Sequence, residues 1–157
     1  MDGDIAFSAA DKALLVFMQR DALLTLEELS QRVGLSPSAT QRRLQRLRDL
    51  KVILGDIAVV DPRKVGKPMT LLVELELERD RPELLPALQA WLTASDAVQQ
   101  AWYVTGRGDL LLVITATSIE DFDNLMERLM EQNRNVRKFT TSVALKTLKR
   151  GLAVPVA

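Results

Sequence analysis

The sequence from Thr25 to Leu50, TLEELSQRVGLSPSATQRRLQRLRDL, decides the fold of the first part of the chain. Thr25 followed by Glu28 is a capping box, which predicts the start of a first helix. Gly34 predicts its end, since glycine readily takes the left-handed conformation that closes helices. Ser36 then predicts the N-cap of a second helix that begins with a proline. Two short helices joined by a tight turn are typical of a helix-turn-helix, whose second helix enters the DNA major groove.

The second helix separates into an inner and an outer face. Thr40, Leu44 and Leu47 are spaced four and three apart, so they share one side and predict the packing face. The stretch from Ser36 to Leu50 carries four arginines against one aspartate, a net charge of +3. Arginine and glutamine pair with guanine and adenine edges, whereas serine and first-turn amides suit phosphate. The side chains that we predict to contact DNA, with Arg43 directed at a phosphate, are Ser36, Ser38, Gln41, Arg42, Arg43, Gln45 and Arg46.

The simplest explanation of an arginine-rich run taken alone is a solvated surface. Here the charge follows two caps, a turn glycine and a matched preceding helix, and this combination favours DNA binding over mere solvation. Double-stranded DNA is therefore the predicted partner.

Composition restricts the other functions of the chain. Its 157 residues suffice for one medium domain or two small ones, and the formal net charge is zero. The absence of cysteine and histidine removes disulfides, thiolate metal sites and the commonest general base. No apolar run approaches a membrane span, and the acidic start MDGDIAFSAADK does not resemble a signal peptide. We expect a cytoplasmic, nucleoid-associated protein that is not an enzyme and has no membrane association, metal or cofactor.

Other periodicities divide the chain into two domains. Ser8 and Asp11 predict another capping box and a helix to about Arg20, so three helices precede residue 51. The β-prone stretch Val52–Val60, interrupted by a glycine, predicts a short hairpin or wing. Prolines and a glycine in Asp61–Pro68 mark a boundary. We assign residues 1–55 to a winged-helix-like helix-turn-helix domain, 56–68 to a hinge, and 69–157 to a second domain.

The second domain alternates between the periods of strands and helices. Asp109–Ala116 is apolar on both faces, which predicts a central strand covered on both sides. Ser118 predicts the cap of the last helix, with Ile119 and Phe122 on its inner face. The remaining strands are predicted from Met69 to Leu77, over Val98–Thr105 and over Val136–Leu148, and another helix around Leu84–Leu92. The order βαββαβ is the ferredoxin-like arrangement, so the predicted fold class is α+β.

A ferredoxin-like sheet has helices on one face only, and its other face would be bare in a monomer. Large bare apolar patches are not tolerated on monomers. We therefore infer that two sheets pack face to face across a dimer axis, which also presents two recognition helices to two DNA half-sites.

With these pieces in place, the chain resembles the leucine-responsive/asparagine-regulator (Lrp/AsnC) family of transcription factors. The resemblance runs from about Asp11 to Lys149, through DKALLVFMQRDALLTLEELSQRVGLSPSATQRRLQRL, AVVDPRKVG, VTGRGDLLL and TTSVAL. It implies an N-terminal helix-turn-helix, a ferredoxin-like domain that binds amino-acid effectors, and homodimers that assemble further, for example into octamers.

The resemblance also implies where an effector binds. In such families a Gly-x-x-Asp in the loop between the second and third strands lines a pocket between dimers, and Gly106 and Asp109 match it. Glycine lets amides approach a ligand carboxylate, and an aspartate can hold its ammonium. GRGD is equally suited to a simple hairpin turn, and many relatives carry an aromatic residue where this chain has Gly108. The predicted effector-binding residues are Thr105, Gly106, Gly108, Asp109, Thr140, Thr141 and Ser142.

Two functions follow as competing hypotheses. The first is a sequence-specific transcriptional regulator that responds to an amino acid or related metabolite, because the ligand favours one assembly over another. The alternative is an effector-independent architectural protein that wraps or bridges DNA with weak sequence preference. An enzyme is disfavoured, since the sequence offers no evident nucleophile–base pair and catalysis would leave the helix-turn-helix without a purpose.

Overall fold

A computed structural model describes residues 6–78 and 81–157, which form two compact units. The first unit ends at Ala58 and also includes Lys149–Ala157, whereas the second is Val59–Leu148. The last nine residues, which the sequence prediction includes in the second domain, lie within the first compact unit. Residues 1–5, the start of the predicted N-terminal domain, lie outside the described residues. No helix in the described part of the chain is both long enough and apolar enough to cross a membrane.

The first unit contains the three predicted helices. Ser8 and Asp11 form one capping box and Thr25 and Glu28 another, because in each pair both reciprocal hydrogen bonds are present. Gly34 has φ of 68°, the left-handed conformation that ends the second helix. The helices are α1 (Ala9–Arg20), α2 (Leu26–Val33) and α3 (Pro37–Asp49). The predicted helix-turn-helix is confirmed.

The three helices pack around an apolar core, and the residues that follow α3 pack against the same core. Its buried side chains are Leu14, Leu15, Leu29, Leu44 and Leu47, with Val52 and Ile53 packed against them. The amides of Val52 and Ile53 both donate to the carbonyl of Leu47, at 2.9 and 3.2 Å. These residues close the helix instead of forming a strand ladder. The hairpin predicted over Val52–Val60 is therefore wrong: residues 51–68, all of them described, contain no strand.

The C-terminal segment is held against α1 within the first unit. The side-chain amide of Gln19 donates to the carbonyl of Val154 at 3.0 Å and accepts from the Val154 amide at 2.7 Å. Val156 packs against the helical core. A strand-like pair of hydrogen bonds and one apolar contact thus fix a segment that has no secondary structure of its own.

The second unit is the predicted ferredoxin-like fold. Its elements are β1 (Met69–Leu77), α4 (Leu85–Ala94), β2 (Val98–Tyr103), β3 (Leu110–Ala116), α5 (Ile119–Gln132) and β4 (Val136–Val143), with short 3-10 helices at Pro62–Val65 and Pro82–Leu84. The strands form an antiparallel sheet in the order β2-β3-β1-β4, so β3 is central as predicted. Leu71, Val73 and Leu75 face the helices and are fully buried with Leu112 and Ile114 of β3.

Two details of the second unit differ from the sequence prediction. Strand β4 ends at Val143 instead of Leu148, because β1, its pairing partner, begins at Met69 and offers no further ladder. Leu145 and Leu148 beyond it are exposed. Ile119 was predicted on the inner face of α5 but is exposed, since it is the first residue of the helix and precedes the core turn that begins with Phe122.

Candidate DNA-binding surface and ligand loop

The outer face of α3 presents a row of polar side chains. Thr40, Leu44 and Leu47 are buried, and this inner face sets the opposite side of the helix toward solvent. A single surface depression collects five of the predicted DNA contacts and is lined by Ser38, Gln41, Arg42, Gln45, Arg46, Asp49 and Leu50. The depression contains hydrogen-bond donors and acceptors of the kind that read base edges.

The beginning of α3 offers a limited site for a phosphate. The Ser36 hydroxyl accepts a hydrogen bond from the Ala39 amide at 3.3 Å and lies 3.2 Å from the Ser38 hydroxyl. Ser36 is therefore occupied as a helix cap. Pro37 has no N–H, and the Ala39 amide is bonded to Ser36. Among the described residues of the first turn, the Ser38 amide therefore remains as a donor for an anion.

Arg43 does not project with the others but is bound to α1. Its Nη1 donates to Asp11 Oδ1 at 2.9 Å and to the Ser8 hydroxyl at 3.0 Å. Arg46 Nη1 lies 3.8 Å from Asp11 Oδ2, a weaker attraction. The Asp11 side chain is almost completely buried. The Arg43 guanidinium, which we predicted to reach a phosphate, is thus held by an internal carboxylate.

Asp11 remains a carboxylate in this position because its hydrogen bonds outweigh its burial. Burial alone would raise the pKa of Asp11, but hydrogen bonds from Ser8 and the nearby Arg43 guanidinium bring that pKa below its ordinary value. Asp11 therefore serves twice, as the acidic member of a capping box and as the anchor of the recognition helix. The capping box was visible in the sequence, whereas a contact across 32 residues left no local signal.

Ion pairs within the unit offset much of the charge of α3. Arg43 and Arg46 lie beside Asp11, and Arg48 lies 3.1 Å from Asp56. The neutral side-chain amide of Gln45 donates to Asp49 at 2.8 Å. Among the described residues, Arg42 is the arginine of α3 without an acidic partner. Arg42 is therefore the arginine most available to a base or phosphate.

The loop between β2 and β3 is closed by bonds to β1. The Asp109 amide donates to the Leu75 carbonyl at 2.8 Å, and the Asp109 carbonyl accepts from the Val104 amide at 2.9 Å. Asp109 Oδ2 also accepts from the Leu77 amide at 2.7 Å, next to the bulge between Glu76 and Leu77. The segment therefore forms a turn, as one of the two readings predicted. Asp109, the residue predicted to bind an effector ammonium, already accepts a hydrogen bond through one carboxylate oxygen.

Gly108 is buried beneath a side chain of β1 that sequence reasoning missed. The Gly108 amide donates to Glu74 Oε1 at 3.0 Å. A Cβ at this position would overlap Glu74 Cγ and would lie 3.0 Å from the Leu75 carbonyl oxygen. Glu74 and Gly108 thus fit each other, and only glycine fits beneath the present position of Glu74.

The three hydroxyls of β4 do not converge on this loop. Thr140 is paired with Glu74 and lies on the same face of the sheet, while Ser142 is paired with Leu72 farther along that face. Thr141 alternates to the helix-covered face, where its hydroxyl oxygen is buried and has no hydrogen-bond partner among the described residues. Thr105 and Gly106 are exposed in the loop. Of the predicted effector residues, the structure brings Gly108, Asp109 and Thr140 around Glu74 and separates Thr141 from them.

The sheet face that carries Glu74 and Thr140 also carries apolar side chains. Leu72 and Trp102 keep 43% and 45% of their surface exposed. In the strand register, Leu72 lies beside Val113, and Trp102 lies beside Leu111. Val113 and Leu111 are half-buried. This patch at the middle of the sheet is the bare face that the ferredoxin-like order predicted.

Comparison with known proteins agrees with both halves of this description. A family model for the AsnC-type helix-turn-helix domain matches residues 8–48, and one for the Lrp/AsnC ligand binding domain matches residues 70–154. An HTH-type transcriptional regulator of Sinorhizobium fredii is 40% identical over 147 residues, covering 94% of this chain and 87% of the relative. The transcriptional regulator AzlB of Bacillus subtilis is 30% identical over 152 residues, covering 97% of each.

Solved structures show the same architecture. A transcriptional regulator from Neisseria meningitidis, determined in complex with L-Met, superposes with a TM-score of 0.87 at 25% identity, covering 96% of this chain and 97% of that one. The fold predicted from the sequence is confirmed by this agreement, since both domains are included in the superposition.

Proposed function

We propose that this chain, which belongs to the Lrp/AsnC family of transcriptional regulators, reads DNA through the outer face of α3 and responds to an amino acid bound beside residues 104–109. The chain is a helix-turn-helix regulator and not an enzyme. The observation that carries the proposal is the row of exposed Arg and Gln side chains opposite the buried helix face of Thr40, Leu44 and Leu47. A regulator of this kind works in the cytoplasm, at the nucleoid.

The exposed residues of α3 have separate roles in the proposed complex. Arg42 and Gln45 reach base edges in the major groove, with Gln41 and Arg46 on either side of them. The Ser38 amide binds a phosphate, and Ser36 caps the helix. Arg43, held by Asp11, fixes the position of α3 on α1 instead of contacting DNA.

The test of DNA reading is selection of preferred sites from random double-stranded DNA, followed by binding titrations with single-base variants. Gln45→Ala should lower discrimination at one position of each half-site by about 1–3 kcal/mol. Gln31→Ala is the matched control, because Gln31 is exposed on α2 outside the depression. Unchanged discrimination in Gln45→Ala would show that the face is wrongly assigned.

The bare face of the sheet supports a homodimer as the unit that binds DNA. A second copy would cover Leu72 and Trp102 and would place two recognition helices on two half-sites. Leu72→Glu should convert the dimer to monomers in light scattering, whereas Ile119→Glu, at an exposed apolar position on α5, should not. A dimer that survives Leu72→Glu would place the interface elsewhere. Dimers then assemble further, with an octamer as the proposed larger state.

The match to a ligand-binding domain supports an amino-acid effector, as does the L-Met bound in the Neisseria structure. We would measure the melting temperature and the mass by light scattering with each of the twenty amino acids. A ligand that binds only the folded protein raises the melting temperature. Asp109→Asn should abolish the response while its oxygen still accepts from Leu77, so the loop stays closed.

The same measurement decides between the two functions. One amino acid that raises the melting temperature and changes the mass would identify the effector and support a responsive regulator. If none does so while the protein still binds DNA as an oligomer, the function is that of an effector-independent architectural DNA-binding protein.

A further inference from the structure

We propose that Glu74 determines which amino acids the ligand loop accepts, and that it selects ligands with a second ammonium group, such as diamino acids, over neutral aliphatic ones. This inference rests on the proposed function, because it concerns the ligand class of the same loop. Three observations carry it: the space that Glu74 fills, the amide that it binds and the absence of a cationic partner among the residues that the structure describes.

Glu74 fills the space that a side chain at position 108 would occupy. The methylene stem of Glu74 lies where a Cβ on Gly108 would be placed, and Gly108 is buried beneath it. The wall of the loop is therefore supplied by strand β1 instead of by the loop itself. The Glu74 side chain, with its carboxylate, occupies the place that the side chain of a larger residue at position 108 would take.

The Gly108 amide is not available to a ligand carboxylate. It already donates to Glu74 Oε1 at 3.0 Å. An amino acid that approaches the loop with its carboxylate would have to displace Glu74 and would also meet a like charge, which is unfavourable. A ligand that approaches with an ammonium group meets an acceptor instead.

Within the described part of the chain, Glu74 has no cationic partner, in contrast to Glu76 on the same strand and face. Glu76 is paired with Arg137 and Lys138, and these cations lower the pKa of Glu76 below its ordinary value. The half-buried Glu74 has no ion pair among the described residues. An ammonium has three donors, and Thr140, in register with Glu74, offers a hydroxyl as a second acceptor.

The experiment compares pairs of ligands that differ in one charge. Lysine and norleucine share an aliphatic side chain but only lysine ends in an ammonium. We expect the full-length protein to bind lysine or ornithine at least about tenfold more tightly than norleucine or leucine, as measured by calorimetry and thermal melts. Glu74→Gln keeps an oxygen for the Gly108 amide but removes the charge, so it should lose this preference. Glu76→Gln is the control and should keep it.

The outcomes separate this inference from the function on which it rests. If neutral amino acids bind more tightly than diamino acids, or if Glu74→Gln keeps the preference for lysine, Glu74 is not the determinant while amino-acid sensing stands. If no amino acid binds to the wild-type protein, both the sensing function and the role of Glu74 are overturned.

Discussion

Helix α3 and the loop at residues 104–109 use their polar groups in opposite ways. On α3, five of the seven side chains predicted to contact DNA line one depression on the outer face of the helix. In the loop, Asp109 and Gly108 are bonded to strand β1, and one of the acceptors comes from a residue that no loop motif contains. The candidate surface on α3 is thus largely exposed to solvent, whereas the polar groups of the loop are bonded to the protein itself.

The contrast shows which contacts a local sequence pattern can predict. The outer face of α3 is fixed once Thr40, Leu44 and Leu47 are buried, because the helical period sets every other direction. The loop depends on partners 32 and 34 residues away, at Leu77 and Glu74. Substitutions in one region at a time test whether its polar groups are already bonded within the protein or are open to a partner.

The largest effect is expected where the loop has no spare room. Gly108→Ala should lower the free energy of unfolding by about 3 kcal/mol, because the new methyl group must displace both Glu74 and a backbone carbonyl of β1. Urea denaturation at a fixed protein concentration measures this loss. The double variant with Glu74→Ala should recover part of it, since removing the side chain opens the space.

Gly55→Ala is the control for that series, because a Cβ at Gly55 meets no atom within 4 Å. It should change stability by less than about 0.5 kcal/mol. An additive double variant, with no recovery from Glu74→Ala, would contradict the fitted pair and weaken the contrast between the loop and α3.

A smaller effect is expected at the ion pair between Arg43 of α3 and the buried Asp11 of α1. Asp11→Asn should lower the stability of the helix-turn-helix unit by about 2 kcal/mol at neutral pH, since it removes a charged hydrogen-bond partner of Arg43. Asp11 has a lowered pKa in the folded state, so its contribution is present above the unfolded pKa of about 4 and is lost as the pH falls toward the folded value.

Denaturation of the wild type and of Asp11→Asn between pH 7 and pH 3 checks both parts. The difference between them should shrink as the pH falls below about 4. Asp21→Asn, an exposed position in the same unit, should differ little from the wild type throughout. A difference that is constant with pH would mean that the charge of Asp11 does not stabilise the unit.

The same division between local and distant partners explains which sequence predictions succeeded. Capping residues and apolar periodicity lie within one element, and they located the helices of the first unit and the order of the sheet. The predicted hairpin at Val52–Val60 does not form, because Val52 and Ile53 pack against the helical core. Strand β4 is shorter than predicted, because its partner strand begins at Met69. Strand propensity cannot report whether a partner strand exists.

The roles of Asp11 and Glu74 could not be predicted for a related reason. Each bonds a group that is more than 30 residues away in the sequence. The basic run predicts that both Arg42 and Arg43 are free to contact DNA, because it does not show that Asp11 binds Arg43. Only the position of α1 distinguishes them.

The smallest effect sharpens the comparison within α3 itself. Arg42→Ala should reduce the salt dependence of DNA binding by about one unit per recognition helix, because a free guanidinium releases a counterion when it meets DNA. Arg43→Ala should leave that slope nearly unchanged, because its charge is already balanced by Asp11 at 2.9 Å. Fluorescence anisotropy over a series of salt concentrations measures both slopes. Equal slopes for the two variants would mean that Arg43 leaves Asp11 for a phosphate when DNA binds, and α3 would then be free along its whole basic face, unlike the loop.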